Sequence, residues 1–194
     1  MTTKTVINSH MLIEKLFEHC LSTFRHSMRV GDQLYEFAKF MGMENTEQIF
    51  ILGLLHDIGK VNIPSALLNK EGRLTEQEFK MIKLHTDYGQ QWVEKMEDLP
   101  SEFSKCVLYH HENWDGSGYY GIKGKEIPLL SRMIRIVDTY DTMLYGRVYQ
   151  KPINQHLVVQ EIHSLSCKHY DPELVDSYIN FLEIKYHLNF HYGA

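Results

Sequence analysis

The stretch TEQIFILGLLHDIGK, residues 46–60, decides how the chain must fold. Thr46 is a side-chain cap for a helix, and Ile49, Gly53 and His56 recur at the spacing that puts them on one inward face. The apolar run 49–55 is far too short to span a bilayer. A histidine and an aspartate therefore close a buried helix, where side chains that carry charge are costly unless paired.

The same pattern extends in both directions. Apolar residues recur at intervals of three and four with no alternating strand, which gives an all-α fold, a helical bundle. A first helix is expected from about Ser9 to Thr23. A second carries His26, Val30, Leu34 and Phe37 on one stripe and stops at Gly42. The box Thr75-x-x-Glu78 opens a long helix whose buried stripe is Phe79, Ile82, His85, Gly89, Trp92 or Val93, and Met96. A shorter helix in PSEFSKCVLYHHEN precedes the turn NWDGSGYY; Pro128 starts another that Gly146 ends, and Asp171-Pro172 starts the last. With 194 residues, no repeat and no linker, a single domain over 1–194 with a flexible tail at 1–9 is the economical reading.

A net charge of −5 and the lack of a basic run argue against duplex nucleic acid as a partner. The polar N-terminus lacks the apolar core of a signal peptide, so no membrane association and a cytoplasmic location are expected. Protein partners cannot be read from the sequence. Cys20, Cys106 and Cys167 are odd in number and widely spaced, which fits reduced thiols.

Histidine is the unusual residue, 12 in the chain, and only placement decides its role. One histidine on an apolar face is usually a core residue bonded to a carbonyl. Here His26, His56, His85 and Asp138 sit on the apolar stripes of four different helices, joined by Asp57 and by the pair His110-His111. A single zinc is satisfied by about four ligands, which would leave the others buried without partners. Two ions sharing Asp57 and a bridging hydroxide use all seven. Mixed imidazole and carboxylate donors suit iron or manganese better than magnesium, with zinc, nickel and cobalt also compatible. Two such ions activate water and clamp an in-line displacement at phosphorus, so phosphate-ester hydrolysis is the expected chemistry, with Asp57 at its centre. Lys60, one turn after His56, can meet phosphate charge or the departing alkoxide. Gly59 and Gly89 allow close backbone approach around the site, and Glu112 and Asp141 are read as supporting partners rather than ligands.

HDIGK (56–60), HTDYG (85–89), HHENWDGSGYY (110–120), RIVDTYDTM (135–143) and YDPELV (170–175), in that order, resemble the motifs of the HD-GYP phosphodiesterases, a branch of the HD phosphohydrolase superfamily. The likeness covers about residues 26–175. It implies an HD-domain helical bundle, two or three metals held by the seven residues above, and hydrolysis of cyclic di-GMP to pGpG or GMP with Lys60 near the reacting phosphate. It also implies that Tyr119 contacts substrate and that Arg147 matches the arginine of an RPY segment, with the following basic group displaced to Lys151. Three departures stand out. GYP reads Gly118-Tyr119-Tyr120, RPY reads RVY, and Ser22 occupies the position of a glutamate found in members with a third metal, so two ions are expected. Within the resemblance, Asp115 pins the loop that Tyr119 projects from. A cyclic-dinucleotide sensor without turnover, and an HD hydrolase of another nucleotide, are the alternative readings; the intact donor set argues against the sensor.

Overall fold

The computed structural model describes residues 8–146 and 152–190. Ten α-helices and two short 3-10 turns account for its regular structure, and no strand occurs among the described residues. None of the helices is long and apolar enough to cross a membrane.

Helix α1 (Ser9–His19) starts on the side chain of Asn8, which accepts from the Met11 amide at 3.0 Å. Residues 8 and 9, expected in the tail, thus begin the fold. Helix α1 was also expected to reach Thr23. It ends at His19 because Cys20 is extended (φ −153°, ψ 97°), and Thr23 belongs to α2 (Leu21–Phe40), its hydroxyl donating to Cys20 Sγ at 3.1 Å. The break lets α1 fold back with Leu12 and Leu16 buried. Gly42, at φ 68°, ends α2 as expected.

Helix α3 (Thr46–Leu55) leads directly into His56, Asp57 and a 3-10 turn over Ile58–Asn62. Its cap position is Asn45, not Thr46. Asn45 adopts the left-handed conformation (φ 54°), which asparagine tolerates, and Thr46 is buried as the first helical residue. After the single turn α4 (Ser65–Leu68), the expected capping box closes α5 (Glu76–Lys83): Thr75 Oγ1 accepts from the Glu78 amide, and the Glu78 carboxylate accepts from the Thr75 amide at 2.8 Å.

The long helix expected from Thr75 to Met96 is two helices. Helix α5 stops at Leu84, and α6 (His85–Val93) departs from there. Phe79, expected in the buried stripe, is 46% exposed, whereas His85, Gly89 and Val93 are buried. The two helices lie in different surroundings: no residue of α5 is buried, whereas α6 packs on the 3-10 turn in backbone contact at Gly59, where an added Cβ would stand 1.8 Å from the His85 carbonyl and 2.5 Å from the Gly89 amide.

Helix α7 (Phe103–Leu108) is followed by His110, His111 and a loop, with a 3-10 turn at Gly124–Glu126. Pro128 and Gly146 bound α8 (Leu129–Tyr145), as the sequence indicates. Helix α9 (Gln155–Ser164) was not anticipated. Asp171 caps α10 (Pro172–Tyr186), accepting from the Glu173 amide at 3.0 Å. Helix α2 lies at the centre, packed on α1, α3, α8 and α10. One continuous core runs from Leu12 to Phe190, and within it the buried Tyr178 hydroxyl accepts from Gln33 Nε2 at 2.5 Å. Helices α2, α3, α6 and α8, with the turn after α7, direct their polar exceptions to one point.

Candidate metal centre

Three histidines are aimed by their own backbone. Nδ1 of His56, His85 and His110 lies 2.7, 2.7 and 2.6 Å from the carbonyls of Gly53, Ile82 and Val107, each three residues earlier. A carbonyl can only accept, so Nδ1 carries the proton and Nε2 presents its lone pair to the centre. His26 is aimed differently: Nδ1 donates to Asp141 Oδ2 at 2.7 Å, and Arg29 holds the same carboxylate through Nε at 2.7 Å and Nη2 at 2.8 Å. Asp141 is thus the supporting group the sequence suggested.

Asp57 occupies the middle. Its Oδ1 is 3.3 Å from His85 Nε2 and 3.9 Å from His110 Nε2, and its Oδ2 is 3.4 Å from His56 Nε2 and 3.9 Å from His26 Nε2. Asp138 Oδ1 lies 3.0 Å from His26 Nε2. The donors fall into two sets, each with ligand atoms within 4.8 Å of one another: Asp57, His85, His110 and His111 in one, His26, His56 and Asp57 in the other. Six of the seven sequence-predicted donors fall in these sets, Asp57 in both, and Asp138 stands outside them beside His26.

Burial makes this cluster costly as it stands. His56 Nε2, Asp57 Oδ1 and, apart from Asp138 Oδ1 at 3.0 Å, His26 Nε2 are buried without a hydrogen-bond partner, Ser27 Oγ being the other such side-chain atom among the described residues. Unpaired buried polar atoms are rare in folded proteins, and these three converge on the gaps that the two donor sets surround. Borderline imidazole nitrogens together with hard carboxylate oxygens at that spacing fit divalent transition ions.

Three of the rings are held in the neutral form that can donate to a metal, whereas His26 is not. Burial pushes His85 down to about 4 and His110 down to about 3, and holds His111 well below the ordinary histidine range, so these rings are neutral at pH 7. Burial would raise Asp57, but the Lys60 ammonium, then His56, hold it well below the usual carboxylate range. Lys60 Nζ sits 2.5 Å from Asp57 Oδ2. Burial would lower His26, yet Asp138 and Asp141 raise it above its ordinary value.

Beside the donors an open cleft of about 140 Å³ runs from His26 and Lys60 past Ser22, Thr23, Arg29 and Lys70, with Leu67, Leu68, Leu74 and Ile82 as an apolar wall. Arg29 escaped the sequence reading although it follows His26 by three residues, a spacing that puts the two on one helix face.

The loop after His111 closes the other side. Tyr119 stands with its ring 4.9 Å from that of His111 and 4.3 Å from Lys83 Nζ. Asp115 forms a local turn by accepting from the Ser117 amide at 2.8 Å, while Glu112 pins the loop more widely. That buried carboxylate accepts from the amides of Tyr120 at 2.7 Å and Ile122 at 2.9 Å. Nothing in the sequence distinguished Glu112 as the main anchor. Arg147 and Lys151, the other expected substrate contacts, lie outside the described residues.

The chain is similar to known proteins in sequence and in fold. The HD domain family matches residues 10–174. A cyclic di-GMP phosphodiesterase from Thermotoga maritima is 37% identical over 82% of this chain and 44% of its own length. A 3'3'-cGAMP-specific phosphodiesterase (phosphodiesterase 2) from Vibrio cholerae is 32% identical over 79% of this chain and 30% of its own. The chain thus spans less than half the length of these relatives. Among solved structures, the HD domain of the L. monocytogenes phosphodiesterase PgpH in complex with cyclic-di-AMP shares the fold, with a TM-score of 0.67 and 20% identity over 94% of this chain and 100% of that one. An HDG"Y"P protein of Bdellovibrio bacteriovorus, Bd1817, shares it with a TM-score of 0.66 and 15% identity, over 83% of this chain and 52% of its own. The chain belongs to the HD domain family and, by the order of its motifs, to the HD-GYP branch within it.

Proposed function

We propose that the chain is a metal-dependent phosphodiesterase that opens a cyclic dinucleotide, with cyclic di-GMP as the first substrate to test. The observation that carries this reading is the pair of donor sets sharing buried Asp57, with unsatisfied donor atoms facing the space between them. Two divalent transition ions, iron or manganese best matching the donors, would be held by His26, His56, Asp57 and Asp138 on one side and by Asp57, His85, His110 and His111 on the other. Such ions, when bound, activate water and offset charge on phosphate oxygens.

The chain's own residues supply the rest. Three backbone-oriented histidines keep their Nε2 lone pairs in place without reorganisation, which favours preorganised catalysis. Lys60 places an ammonium at the edge of the shared carboxylate, where it can stabilise negative charge on the departing alkoxide as the P–O bond breaks. Arg29 and Lys70 line the cleft already paired with the carboxylates of Asp141 and Glu78, and the apolar wall suits a base. Tyr119 stands where it can contact the substrate from the loop side, and ring opening yields a linear dinucleotide. The relatives act by name on both cyclic di-GMP and 3'3'-cGAMP, so a cyclic GMP-AMP substrate is the second reading.

The experiment is anaerobic purification, metal counting and chromatography of the products from cyclic di-GMP, 3'3'-cGAMP and cyclic di-AMP. Two ions per chain with linear product from one or more of these is expected. Two ions with no cleavage of any of the three, while other phosphoesters are cut, would refute the substrate class.

A further inference from the structure

Position 120 is where this chain departs from the motif it otherwise follows, and the structure gives the replacing residue specific partners. The Tyr120 hydroxyl donates to Asp87 Oδ2 at 3.0 Å and shares a hydrogen bond with Thr86 Oγ1 at 2.7 Å. Thr86 and Asp87 directly follow His85 at the start of α6. The Tyr120 amide donates to the buried carboxylate of Glu112, the residue next to His111. The residue is therefore tied at both ends to segments that carry proposed metal donors. Neither tie is open to proline, which has no amide hydrogen and no hydroxyl.

The packing leaves the loop little alternative path. A Cβ added at Gly118 would lie 2.5 Å from Glu112 Cα and 2.7 Å from the Asn113 amide, so the chain passes this point in close backbone contact. Tyr119 is thereby bracketed between an immobile glycine contact and the anchored Tyr120, with its ring against His111. The phenol of Tyr120 is pushed up to about 12, by burial first and by the Asp87 carboxylate, so it keeps its donor proton throughout the physiological range.

We propose that Tyr120 is a positioning residue: it locks the loop 112–122 to the first turn of α6 and so fixes where Tyr119 meets the substrate, replacing a stiff proline turn with a hydrogen-bonded tether. This rests on the phosphodiesterase reading. The Tyr120 hydroxyl is engaged by Thr86 and Asp87, so its role lies in placing the loop rather than in the chemical step.

The test compares Tyr120→Phe and Tyr120→Pro in the full 194-residue chain, loaded with metal. Metal content, kcat and KM for the cleaved cyclic dinucleotide are measured, together with amide hydrogen exchange over residues 112–122. Removing the hydroxyl is expected to leave metal content and kcat unchanged within about twofold, and to raise KM and loop exchange by about 3–10-fold, the worth of a typical hydrogen bond. Tyr120→Pro is expected to raise KM further, because it also loses the Glu112 tie. Unchanged KM and exchange in Tyr120→Phe, or wild-type KM in Tyr120→Pro, overturns the proposal. A wild-type chain that cleaves no cyclic dinucleotide sinks the phosphodiesterase reading instead, and the exchange measurement still decides whether the tether exists.

Discussion

Replacing Gly59 by alanine should disable one of the two donor sets without touching a donor. The added Cβ would stand 1.8 Å from the His85 carbonyl, where real contacts begin near 3.0 Å, a deficit of about 1.2 Å. The obstacle is backbone on both sides, His85 and Gly89, so no side-chain rotation relieves it. The start of α6 must retreat from the 3-10 turn, carrying His85 away from Asp57, whose Oδ1 lies 3.3 Å from His85 Nε2. Metal sites hold their ligand distances to about 0.2 Å, so a shift several times larger disables the set formed by Asp57, His85, His110 and His111. Overpacking of this kind costs about 1–3 kcal/mol, with the upper end expected for a backbone clash. For a domain of this size 3 kcal/mol lowers Tm by roughly 6–12 °C. Metal counting and thermal melts of Gly59→Ala check both effects. Gly42→Ala is the control: it meets no atom within 4 Å and bears only the strain of φ 68°, about 1–2 kcal/mol, so it should keep its metals. A Gly59→Ala protein that binds two ions with wild-type affinity would refute the coupling of this backbone contact to the centre.

Asp141→Asn removes the charge that orients His26 and should weaken metal binding by about 10–100-fold although all seven proposed donors remain; competition with a metal indicator reads it. Lys60→Met should keep the metal count and lower kcat by about 10²–10³-fold, and an equal loss of metal would argue that Lys60 is structural. The metal-free protein should lose stability on acidification. His85 and His110 are held neutral in the fold down to about 4 and about 3, so between those values and the ordinary 6.5 the unfolded chain binds more protons and stability falls as pH drops through 6.5. His26, raised in the fold, contributes in the opposite sense, its stabilisation being lost as pH rises through its folded value. Denaturant melts of chelated protein from pH 7.5 to 4 check the net sign, and His110→Gln should flatten the slope.

The convergence of these side chains was legible because helical spacing alone puts His26, His56, His85 and Asp138 on apolar faces, where a titratable group demands a reason. The break at Leu84 was not, since the helical spacing runs on across it and the 3-10 turn that α6 packs against lies elsewhere in the chain. For the same reason Phe79 was misread as buried. The shift from Thr46 to Asn45 depends on a left-handed residue that a cap pattern does not reveal. Glu112 and Tyr120 looked like loop filler because their partners, the amides of 120 and 122 and the side chains of Thr86 and Asp87, are brought near only by the turn itself.

Because His56, His85 and His110 take their orientation from carbonyls three residues back, the direction in which each ring points is written into helical geometry rather than into any neighbouring side chain. Drift in the surrounding sequence can therefore remodel the rim and exchange one kind of ligand loop for another while the inner imidazoles stay aimed, and a change such as tyrosine for proline at position 120 can be absorbed without rebuilding what lies beneath it.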